Sequence, residues 1–166
     1  MRSTLIRAPQ FTRPADTTAY AAVDLVANST TAGSVVPLLF DLAPLNGRST
    51  GKVAGCVLRK STVTATLATF ILQLFVNTSP TVTNGDNGAL VVTAADIANY
   101  IGSVSLDLAT GGSAIAGGPL VKLGSPAFGA ITFSSRQKRL FGLLMANAAY
   151  VPASAETFDL ALNIDY

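Results

Sequence analysis

The chemistry open to this chain is bounded first by the residue types it lacks. It has no histidine and no tryptophan, one cysteine, and one glutamate, Glu156. Without histidine there is no Ser-His or Cys-His nucleophile pair, no imidazole metal ligand, and not the commonest general base. Carboxylates remain. Hydrolysis by a carboxylate pair needs two acids about 5–10 Å apart, one buried enough to hold a raised pKa. The aspartates that a glycan-active enzyme would use, Asp86 and Asp107, sit with nearly all the others in turn-like or solvent-facing sequence contexts. The expectation is a non-enzyme with no catalytic residue.

Three local patterns imitate functional sites. Gly47-Arg48-Ser49-Thr50-Gly51-Lys52 resembles a phosphate-binding loop but is one residue short between its glycines. It also carries Val53 where a magnesium-ligating hydroxyl belongs, and it precedes strand-forming rather than helix-forming residues. It reads as a hairpin loop. Asn84-Gly85-Asp86-Asn87-Gly88 offers oxygen atoms in a tight loop. The alternating acids and closing glutamate of an EF-hand are missing, and the same residues favour turns by tolerating positive φ. Cys56 stands alone, so there is neither an internal disulfide nor a cysteine metal cluster, and it reads as a small buried hydrophobe. No metal and no cofactor is expected.

Charge narrows the partners. Only 12% of residues are charged while 49% are apolar, which argues against disorder and for a neutral, short-chained surface suited to lying against other proteins. Up to Lys60 the chain holds seven cations and three acids, and beyond it four cations and six acids. That asymmetry is milder than the dense basic stripe of a nucleic-acid binder, so no direct nucleic-acid contact is expected. It fits head-to-tail complementarity between copies equally well. No run approaches the ~18 apolar residues that span a bilayer, and the opening residues lack a signal-peptide pattern. The expectation is therefore a protein made and kept in a reducing compartment, with no membrane partner.

The elements that would position any site are strands. Residues 52–60 and 69–76 are short apolar runs rich in β-branched and aromatic residues. In the second, Phe70, Leu72, Leu74 and Val76 alternate with Ile71, Gln73 and Phe75, so both faces are apolar and the strand belongs at the centre of a covered sheet. Residues 140–146 form a second such run. Phe158, Leu160, Leu162 and Ile164 alternate with Thr157, Asp159, Asn163 and Asp165, the pattern of a strand with one dry and one wet face. Shorter strands fall at 23–28, 35–42 (an edge, because of Pro37), 101–108 and 128–133. Asn46-Gly47 marks a tight turn, and Thr93 can cap one or two helical turns with Asp96 at the third position. Residues 110–119 read as a flexible Gly-rich loop.

This spacing predicts an all-β protein: an antiparallel β-sandwich, jelly-roll-like, with at most one short helix. Residues 14–166 form its single domain. Residues 1–13 read as an extended N-terminal arm, interrupted by Pro9, either frayed or ordered on a neighbour through Arg2, Arg7, Phe11 and Arg13. On the second reading, removing residues 1–8 leaves folding intact and weakens assembly.

The segments 11–20, 24–30 and 36–38, the loop 79–88, and Ala149-Tyr150-Val151-Pro152-Ala153-Ser154 with Glu156-Thr157-Phe158 resemble small structural proteins of tailed bacteriophages, of the capsid decoration, or cement, kind. The likeness covers most of the chain in order. It implies a jelly-roll body, a homotrimer on the outside of the virion head, and the major capsid protein as partner. The role implied is stapling capsid proteins against the pressure of packaged DNA, with synthesis in the host bacterial cytoplasm. An alternative on the same fold is a tail, baseplate or head-fibre component that binds glycan.

Overall fold

The computed structural model describes residues 2–64, 66–111, 113–114, 120–126 and 129–166. Most of the Gly-rich stretch (112 and 115–119) and Phe128, where the 128–133 strand was expected to begin, lie outside the described residues. Among the described residues there are twelve strands. The first six are β1 (Ser3–Arg7), β2 (Phe11–Thr12), β3 (Leu25–Val26), β4 (Leu38–Asp41), β5 (Thr50–Lys60) and β6 (Thr69–Val76). The rest are β7 (Tyr100–Asp107), β8 (Ser113–Ala114), β9 (Leu120–Pro126), β10 (Ile131–Ser134), β11 (Arg139–Ala146) and β12 (Thr157–Asp165).

All pairing is antiparallel, as expected. One sheet runs β1-β12-β5-β9, with β2 added to β12, β10 to β5 and β8 to β9. The other runs β4-β11-β6-β7, with β3 also on β11. The sheets join along one side, where Val104 and Ser105 of β7 pair with Pro126 and Ser125 of β9. The two apolar runs near residues 55 and 75 fall in different sheets. Each is central in its own sheet, β5 between β12 and β9, β6 between β11 and β7.

Alternation decides which side chains meet between the sheets. Phe158, Leu160, Leu162 and Ile164 of β12 are fully buried with Leu58, facing Phe70, Leu72, Leu74, Leu106 and Leu140. Each such side chain contributes about 1.5–3 kcal/mol through its burial. The reverse face of β6 is covered too. Phe75 packs with Leu25, Phe141 and Leu143 against Val82, Leu90 and Val92 from the long 77–99 segment, which explains an apolar pattern on both faces. At 46–47 the expected turn forms, with Asn46 at φ 52° and Gly47 at φ 83°.

Two expectations need correction. Two short α-helices, not one, occur among the described residues, α1 (Ala94–Ile97) after Thr93 and α2 (Leu108–Gly111), besides 3-10 turns at Ala32–Ser34 and Ala43–Leu45. The second forms because the Asp107 carboxylate accepts the Thr110 amide at 3.1 Å, closing a turn while Leu108 stays in the core. The N-terminal segment is extended, but it is no free arm. β1 pairs with β12 from Ser3↔Asp165 to Arg7↔Ala161, and β2 pairs with β12 at Phe11↔Phe158. The outer edge of β12 offers unpaired amides and carbonyls, and this segment satisfies them while burying Ile6 and Ala8. Pro9, which has no amide hydrogen, marks the break between the two strands.

Candidate functional site

Four ionisable side chains are sealed inside one end of the sandwich: Arg13, Lys60, Asp86 and Glu156. Lys60 ends β5, Glu156 precedes β12, Arg13 follows β2, and Asp86 comes from the 77–99 segment. The Arg13 guanidinium donates to Tyr20 Oη at 2.8 Å, to Asp86 Oδ2 at 3.1 Å and to Asp16 Oδ1 at 3.0 Å. Tyr20 donates in turn to Asp86 Oδ1 at 2.7 Å, which also accepts the Ala27 amide at 2.8 Å. The second half repeats the logic. Lys60 Nζ donates to Glu156 Oε1 at 2.6 Å, to Tyr150 Oη at 2.9 Å and to Thr62 Oγ1 at 2.7 Å. Tyr150 donates to Glu156 Oε2 at 2.5 Å, and Thr62 donates to Oε1.

The halves are one unit. The Tyr20 and Tyr150 rings stack at 6.3 Å and 7°, the Tyr20 amide donates to the Tyr150 carbonyl at 2.9 Å, and the Arg13 amide to the Glu156 carbonyl at 3.0 Å. Burial pushes the Asp86 carboxyl up, against the pull of the Ala27 amide, Tyr20 and Arg13. Burial likewise draws the Lys60 ammonium down, against Glu156. Both phenols are raised above their ordinary range, first by burial and then by the carboxylate each one touches. Each cation sits on an acid, and the acid is held by further donors, the arrangement a buried pair needs to offset its desolvation.

Chemically this cluster is a closed, hydrogen-bonded brace. Its four charged side chains have no solvent exposure in their ion pairs, and each carboxylate already holds its cation. Asp86 corrects the reading that places it on a wet turn. Its loop turns the carboxylate inward, which withdraws it from any ion site at 84–88. Among the described residues no group of three or more histidine, cysteine or acidic side chains could hold a metal. Cys56 is buried as expected, its thiol pushed up to about 12 by burial. The partners lie at positions 13, 20 and 86, and at 60, 150 and 156, separations at which no local sequence signal links them.

The four contacts expected of the N-terminal segment do not form one surface. Arg2 precedes and Arg7 ends a five-residue strand about 17 Å long. Arg2 is exposed at the end opposite the buried cluster, and Arg7 pairs with Asp159 at 2.7 Å. Phe11 is half-buried, stacked on Phe158 at 5.4 Å, and lines an apolar groove of about 400 Å³ with Pro9, Val36, Pro37 and Leu38. Arg13 is wholly inside. A second apolar depression, of about 240 Å³, lies on the outer face of the second sheet among Phe75, Leu90, Val92, Ile97, Tyr100 and Met145. Among the described residues no helix is long and apolar enough to cross a membrane.

No protein-family model matches the sequence, and neither a curated protein nor a solved structure matches it.

Proposed function

We propose that this protein is a non-enzymatic structural protein of a virion, a decoration protein that seats on the outer surface of the head. There it staples neighbouring major capsid proteins against the pressure of packaged DNA. The observation that carries the reading is strand order. The pairing into sheets β1-β12-β5-β9 and β4-β11-β6-β7 supports a jelly-roll reading of the eight main strands, an architecture that virus-shell proteins use. The buried acids are committed to internal cations, which suits a rigid clamp better than a catalyst. The apolar groove beside Phe11 and the depression at Ile97 and Tyr100 are surfaces on which such a clamp gains area against protein.

A trimer fits this role, because three linked contacts make the later ones intramolecular and raise avidity by ~10²–10⁴. The reading expects a purified trimer that adds to expanded heads and raises their rupture temperature. Heads without the protein that withstand heat equally well would refute it. Labelling found on the tail would favour a tail, baseplate or head-fibre component instead.

A further inference from the structure

Six cations collect at the end of the sandwich opposite the buried cluster. Arg2 precedes β1, Arg48 lies between β4 and β5, Lys52 is near the start of β5, and Arg136, Lys138 and Arg139 lead into β11. All six are exposed, and among the described residues none forms an ion pair. The contrast is with Arg7, Arg13, Arg59 and Lys60, each of which holds a carboxylate.

Backbone contacts hold this end together. Arg2 and Tyr166 exchange amide hydrogen bonds at 3.0 and 2.9 Å, the Ser135 amide reaches the Ser49 carbonyl at 2.7 Å, and the Leu42 amide reaches the Lys138 carbonyl at 2.9 Å. Arg48 lies over the Tyr166 ring at 5.9 Å, and Arg2, Asn46, Arg48 and Tyr166 line an open cavity of about 490 Å³. Set against Asp41 and Asp165, the six cations leave this end at +4. The other five cations and seven acids leave the rest of the chain at −2, which together restores its net +2.

We propose that this basic end is a docking face for a carboxylate-rich surface of another protein. Exposed, unpaired cations on one face raise the local potential and steer an acidic partner. The guanidinium forks of Arg2 and Arg48 beside the cavity match the planar, two-oxygen geometry of a carboxylate. A nucleic acid fits less well. The aromatic ring found there, Tyr166, already lies beneath Arg48 and is not open to stacking a base. The proposal does not depend on the virion assignment, since binding is read on the isolated protein.

The test is fluorescence anisotropy with a labelled poly-glutamate peptide and, separately, a labelled DNA duplex, at low and raised ionic strength. Two triple variants carry the same charge change. Arg48→Gln/Arg136→Gln/Lys138→Gln strips the basic end, while Thr17→Glu/Ala22→Glu/Thr64→Glu alters exposed positions at the far end. Wild type should bind poly-glutamate in a salt-sensitive way, the first variant should lose roughly tenfold or more, and the second should lose little. Circular dichroism and melting of both variants establish that they remain folded. Equal losses in the two variants would reduce the effect to net charge and overturn the proposal. So would absence of poly-glutamate binding, or a preference for duplex over peptide.

Discussion

Replacing Lys60 with methionine isolates what the buried cluster contributes. The ammonium meets Glu156 at 2.6 Å with both side chains without solvent exposure, so the variant leaves a buried carboxylate whose remaining side-chain donors are the Tyr150 and Thr62 hydroxyls. Removing one member of a buried pair costs about 3–5 kcal/mol, because the survivor keeps its desolvation penalty. Two donors stay in place, which puts the expected loss near the lower bound, about 3 kcal/mol. Methionine occupies much of the space of the lysine stem, so a cavity adds little. In a chain of this size that loss lowers Tm by roughly 6–12 °C. Glu156→Gln is the mirror perturbation and strands the ammonium instead, at a similar cost. The double variant removes both charges, so its loss should fall short of the summed singles by about 2 kcal/mol or more, a coupling that a double-mutant cycle isolates. Urea denaturation at neutral pH measures all four proteins, with an unchanged m value showing that the same transition is compared. Singles that each cost under about 1 kcal/mol, or strictly additive losses, would mean that the pair is solvated, and the reasoning would fail.

Removing residues 2–8 takes away the β1 ladder with the buried Ile6 and Ala8, and should cost about 3 kcal/mol or more while baring the edge of β12 to aggregation. A truncated protein with wild-type Tm that stays dispersed on size exclusion would instead restore the free-arm reading. Gly85→Ala places a methyl group 2.0 Å from the Thr30 carbonyl oxygen, beside the loop position that delivers Asp86. The backbone must shift there, with an expected loss of about 3 kcal/mol by denaturant titration, and a neutral result would contradict the close approach. The Thr93 hydroxyl and Thr81 amide hold the Asp96 carboxyl below its usual range, at 2.6 and 2.9 Å. A depressed folded pKa stabilises above the unfolded value of about 3.9 and loses that contribution as pH falls through the folded value. Asp96→Asn should therefore weaken the protein by about 1 kcal/mol at neutral pH and lose less than wild type on acidification. Parallel urea curves at neutral and acid pH check the sign.

Much of the architecture was written locally. Period-two alternation in 69–76 and 157–165 identified strands and their inward faces, because a side chain's face depends only on its position parity within a strand. The Asn46-Gly47 turn and the helix start after Thr93 are likewise properties of a few adjacent residues, although the Thr93 hydroxyl donates to the Asp96 carboxylate rather than capping a backbone amide. Pairing is not local. Nothing in the runs around 55 and 75 states that they belong to opposite sheets, and nothing in 1–13 states that β12 has an edge to fill.

The candidate sites show the same division more sharply. Composition alone removed histidine chemistry and an internal disulfide, since an absent residue type stays absent in any fold and a single cysteine has no second one to join. Tertiary structure alone decided that Asp86 points inward to Arg13, and that the lone glutamate meets Lys60 ninety-six residues away. It also re-sorted the charges. Along the chain they divide into a basic front and an acidic back, yet folding brings Arg136, Lys138 and Arg139 from the back beside Arg2, Arg48 and Lys52 from the front. Electrostatic interaction depends on distance through space, so charge order along a sequence carries little of it until antiparallel strands have set which ends lie together.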